Sequence, residues 1–93
     1  NNIKVILCSV LPAYDFPWRP GLNPKDKVLS LNDLIQKHVQ ENSFEYVDYF
    51  SSMVDERKGL IKEYGNDEVH PNLEGYKVME SIIQISINKV LNK

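Results

Sequence analysis

The sequence predicts an α/β fold in the order strand, helix, strand, loop, helix: one βαβ crossover followed by a last helix. Three observations lead there. Ile3-Lys4-Val5-Ile6-Leu7-Cys8-Ser9-Val10 is a short, nearly continuous apolar run, the pattern of a strand buried on both faces of a parallel sheet. Two later stretches carry apolar side chains at helical spacing. Between them lies Phe44 to Phe50, rich in aromatics, which reads as the second strand. Two strands are too few for an independent parallel sheet. The first opens without a leader or cap. Residues 1–93 therefore read as the C-terminal part of a single larger domain, whose other strands belong beside these two.

Each element has its own signals. Leu11 to Pro24 contains Pro12, Pro17, Pro20 and Pro24, a density that forbids regular pairing and stiffens a loop. The first helix should start at Asn23 as N-cap, with Pro24 at the first helical position and Asp26 in the first turn. Val28, Leu31, Leu34, Ile35 and Val39 supply its apolar stripe, and it should end near Glu41-Asn42. Ser51 to Tyr64 reads as a short helix and loop, with Asp55-Glu56-Arg57-Lys58 as a solvated face. Gly65-Asn66-Asp67 is turn chemistry, and Asn72 is a plausible N-cap for the last helix. Tyr76, Met79, Ile83, Ile87, Val90 and Leu91 form the stripe of that helix, widened by Val78, Ile82 and Ile85. So broad a stripe calls for packing against a sheet.

Composition narrows the function classes. A net charge of −2 supplies no electrostatic footprint for nucleic acid. No apolar run approaches the roughly 20 residues needed to span a bilayer. The single cysteine, Cys8, has no internal disulfide partner and is expected as a small buried hydrophobe. His38 is expected on the solvated or half-buried side of the first helix.

The chemistry concentrates in Asp67-Glu68-Val69-His70-Pro71-Asn72. A carboxylate can fix the tautomer and orientation of an imidazole, which can then deprotonate a nucleophile. A spacing of one tight turn should bring an Asp67 carboxylate oxygen within reach of His70 Nδ1. The plainer alternative is an Asx-type turn at Asp67 with His70 merely preceding a helix. The pair lies in a loop leading into a helix, where functional groups gather in open α/β sheets. A metal site needs three or four ligands. Asp67, His70 and Asp48 could approach one, but nothing else converges, so neither a metal nor another cofactor is expected.

Asp67-Glu68-Val69-His70-Pro71-Asn72-Leu73-Glu74-Gly75-Tyr76 resembles the C-terminal block of the SGNH, or GDSL-type, esterases and acylhydrolases. Val5 to Leu7, the turn Ser9-Val10-Leu11-Pro12 and Tyr46-Val47-Asp48 also look like later strands of that family. The resemblance implies a flavodoxin-like, three-layer hydrolase fold, with Asp67 orienting His70 and His70 as general base. It further implies a nucleophile and oxyanion donors outside these 93 residues, because the family's Gly-Asp-Ser and Gly-x-Asn-Asp blocks are absent here. None of the serines follows Gly-Asp or sits in Gly-x-Ser-x-Gly, and Ser9 reads as loop chemistry.

Tyr14-Asp15-Phe16-Pro17-Trp18-Arg19-Pro20-Gly21 packs aromatics and an arginine into a rigid loop. Tyr14, Trp18 and Arg19 are candidates for a substrate-facing wall, with Trp18 as a stacking platform. Alternatively Phe16 and Trp18 cover the core while Arg19 caps a helix end. The expected activity is hydrolysis of a small-molecule or carbohydrate ester, with a lean to acetyl groups that rests on the resemblance and the aromatic loop. A different class stays open: a small non-catalytic module that binds a partner through its sheet edge and apolar helix. Uncovered apolar surface predicts self-association, or cover by the rest of the same domain.

Overall fold

The computed structural model describes residues 3–92. Its elements are β1 (Ile6–Cys8), α1 (Pro24–Asn42), β2 (Glu45–Val47), α2 (Tyr49–Met53), a 3-10 turn (Lys62–Tyr64) and α3 (Leu73–Leu91). The strands pair in parallel, with Ile6 opposite Glu45, Leu7 opposite Tyr46 and Cys8 opposite Val47. The expected α/β crossover and last helix are therefore present.

Both strands are shorter than the sequence suggests. β2 ends at Val47 because Asp48 becomes the N-cap of α2, its carboxylate accepting the Ser51 N–H at 3.0 Å. The remainder of the aromatic run, Tyr49 and Phe50, winds into that helix instead. β1 is half-buried rather than enclosed, and Cys8 is exposed, contrary to the expected buried hydrophobe. Among the described residues β1 has one neighbouring strand, so only part of its surface is covered.

The core comprises Val47, Tyr49, Met53 and Leu60, with Ile6, Leu11, Tyr64, Val78, Met79, Ile82 and Ile83 packed against it. Desolvation in this setting raises the Tyr49 phenol above its usual pKa, and the neighbouring Cys8 raises it further. α3 supplies the Val78-Met79-Ile82-Ile83 face, and its buried seam continues through Ser86 to Val90. Tyr76, Ile85 and Leu91 lie outside that seam and are exposed. The stripe is thus narrower than the one drawn from sequence: Ile85 is rotated away from the core, while Tyr76 and Leu91 lie in the first and last turns of the helix.

α1 shows the same narrowing: Val28, Asn32 and Val39 are buried, whereas Leu31 and Leu34 are exposed. Asn32 docks the helix onto the end of β1. Its Oδ1 accepts the Val10 N–H at 2.7 Å and its Nδ2 donates to the Val10 carbonyl at 3.1 Å. Asn23 stands at the expected N-cap but does not cap through its side chain. It adopts a left-handed conformation, φ 56°, and its amide donates to the Asp26 carboxylate at 2.9 Å. No helix among the described residues is long and apolar enough to cross a membrane.

Candidate active site

The segment from Gly65 to Asn72 is pinched at its base by an antiparallel bridge between Gly65 and Pro71. Asn72 seals that base. Its backbone N–H donates to the Tyr64 carbonyl at 2.7 Å, its Nδ2 to the Glu63 carbonyl at 3.1 Å, and its Oδ1 accepts the Gly75 N–H at 3.0 Å. One side chain therefore caps α3 and anchors the loop before it.

Asp67 organises the tip. Oδ1 accepts the backbone N–H groups of Val69 at 3.0 Å and His70 at 2.7 Å, which wraps the chain around the carboxylate. Glu68, between them, takes a left-handed conformation with φ 69°. Oδ2 meets His70 Nδ1 at 2.6 Å. The backbone N–H of His70, then its imidazole, then the N–H of Val69 pull the Asp67 carboxyl down to about 2. Above that pH Asp67 is an acceptor only, so Nδ1 is the donor. The acceptor nitrogen of the neutral ring is then Nε2, which has no hydrogen-bond partner among the described residues. The His70 side chain is 69% exposed. An imidazole held in this way can take a proton at Nε2. The Asx-type turn and the side-chain pair, set out above as alternatives, coexist in one carboxylate.

Of the three wall candidates, Trp18 reaches this turn. Its ring stacks on His70 with centroids 5.8 Å apart and planes inclined by 27°. Phe16 stacks on Trp18 at 5.4 Å and 15°. Asp15 closes the loop beneath them, accepting the Phe16 N–H at 2.9 Å and the Gly21 N–H at 3.2 Å. Tyr14 is engaged elsewhere: Arg57 lies 4.5 Å and Lys25 5.0 Å from its ring centroid. Arg19 is exposed, and its backbone N–H donates to the Phe16 carbonyl at 3.0 Å.

Sequence reasoning missed two contributors. Arg57, read as part of a solvated face, spans from the Tyr14 ring to Glu68, 3.9 Å away, and so links the aromatic loop to the Asp67–His70 turn. Ser9 is a buried connector: its N–H donates to the Val47 carbonyl at 2.9 Å and its Oγ accepts the Phe50 N–H at 3.0 Å. Neither contact has a local signature, because each joins segments distant in sequence. Asp48 is occupied by its capping role and joins no metal-binding group. No cluster of three or more His, Cys, Asp or Glu side chains suited to a metal forms among the described residues.

The model of the GDSL-like lipase/acylhydrolase family matches residues 1–78 of the chain, a stretch that includes both strands, α1 and the Asp67–His70 turn. The chain belongs to that family. An acylhydrolase from Bacteroides fragilis NCTC 9343 is similar in structure, with TM-score 0.90 and 47% sequence identity over 96% of this chain. A GDSL-like lipase from Bacteroides thetaiotaomicron VPI-5482 is similar too, with TM-score 0.88 and 45% identity over 94% of this chain. The chain spans less than half the length of either, 44% and 43% respectively. No curated protein matches it. Membership of a GDSL-like family makes hydrolase chemistry the frame in which the Asp67–His70 geometry is read.

Proposed function

We propose that these residues are the C-terminal part of a serine ester hydrolase domain and supply its acid–base pair. Asp67 orients the imidazole and stabilises the imidazolium; His70 is the general base acting through Nε2. The nucleophilic serine and the oxyanion donors come from sequence outside these 93 residues, so the chain alone is inactive. The observation that carries this reading is the 2.6 Å contact at Nδ1 with Nε2 left open to solvent.

In the reaction, His70 Nε2 removes the proton from the serine hydroxyl as its oxygen attacks the ester carbonyl. The same proton then passes to the departing alkoxide, and a water activated at Nε2 releases the acid. In this reading Arg19 and Trp18 would line the substrate side, where aromatic surface suits sugar rings and acyl chains. An acetyl ester of a carbohydrate is the substrate class proposed.

The test compares the 93-residue chain with the complete gene product on an activated acetyl ester. The complete protein should turn over, and His70→Ala or Asp67→Asn should lower kcat by about 10³–10⁴-fold. Turnover by the isolated chain, or full activity in His70→Ala, would sink the proposal.

A further inference from the structure

One face of the His70 ring is already occupied. Trp18 lies over it, Phe16 backs Trp18, and Asp15 closes the loop that carries both. The ring-to-ring distance of 5.8 Å falls within the range where an indole attracts a cation above its face. Asp67 acts only at the Nδ1 edge and leaves the ring free to tilt about that bond. An indole over one face, inclined by 27°, restricts this tilt.

We propose that Trp18 is a positioning residue for His70: its indole restricts the imidazole plane and leaves Nε2 and the opposite face for the reaction. This role rests on reading His70 as the proton acceptor. Other charged groups around the pair are committed or peripheral. Asp15 is bound to the Phe16 and Gly21 N–H groups, Glu68 pairs with Arg57, and Arg19 is exposed on the loop. Asp67 on one edge and Trp18 on one face are therefore the groups that set the ring.

The chain has one tryptophan and two histidines, which allows a test that needs no turnover. An imidazole against an indole quenches its emission. Tryptophan emission of the 93-residue chain should therefore rise in His70→Ala and stay unchanged in His38→Ala. It should rise in part in Asp15→Ala and keep its original value in Asp15→Asn, which retains an acceptor oxygen. Emission unchanged in His70→Ala, or raised as much in His38→Ala, overturns the proposal.

A kinetic arm uses the complete protein. Trp18→Ala should lower kcat about two- to five-fold in addition to any change in KM, with kcat recovered in Trp18→Phe. An unchanged kcat would overturn the positioning role and make Trp18 a substrate wall only. An intact emission change in a protein without ester turnover would defeat the hydrolase reading and leave the contact between the rings standing.

Discussion

The Tyr64 carbonyl accepts the Asn72 backbone N–H at 2.7 Å, and the same oxygen lies 2.5 Å from where a side chain on Gly75 would begin. The start of α3 is thus pressed directly onto the 3-10 turn, and the Asp67–His70 loop is held between them. A Cβ at Gly65 would likewise fall 2.8 Å from the His70 carbonyl and against Leu60.

Gly75→Ala and Gly65→Ala should each destabilise the chain by about 1–3 kcal/mol. The usual helical gain of roughly 0.5–1 kcal/mol for alanine is outweighed at Gly75, because the obstructing atom is backbone and cannot swing aside. Urea unfolding monitored by circular dichroism checks this. Unchanged midpoints would show that the loop is not clamped here.

Asp67 should titrate at about 2, below its ordinary 3.8. A depressed folded-state value means that its contribution to order is complete above the ordinary carboxylate range. That contribution is lost as pH falls from about 4 through about 2. Carbon-detected NMR of the Asp67 carboxyl should show this midpoint, with the Val69 and His70 amide signals moving in step. A midpoint at the ordinary value would mean the carboxylate is not held by those donors.

Ser9→Ala should cost about 1–3 kcal/mol, because it strips the Phe50 N–H of its acceptor at a buried site. In the complete protein it should leave kcat per folded molecule unchanged. A loss of kcat without loss of stability would reopen Ser9 as a nucleophile.

The purified 93-residue chain should self-associate. Leu31, Leu34, Leu73, Tyr76, Ile85 and Leu91 are exposed, and burying each large aliphatic side chain is worth about 1.5–3 kcal/mol. Sedimentation velocity over a range of concentrations decides; a monodisperse monomer throughout would refute it.

The order of elements and the site of the turn were legible locally. Pro24, Asn72 and the apolar periodicity place the helix starts, and Asp67 with His70 one tight turn apart brings carboxylate to imidazole through contacts within four residues. The spacing of apolar residues marks which helix faces can be buried. It does not set how wide the buried seam becomes, which depends on what lies opposite, and so Tyr76, Ile85, Leu31 and Leu34 remain in solvent. Strand length was decided by competition: Asp48 and Ser51 form a cap that ends the second strand before its aromatics do. Contacts between distant segments were beyond local reading altogether. Asn32 on Val10, Ser9 on Phe50, Arg57 between Tyr14 and Glu68, and Trp18 on His70 exist only because chain folding brings their segments together.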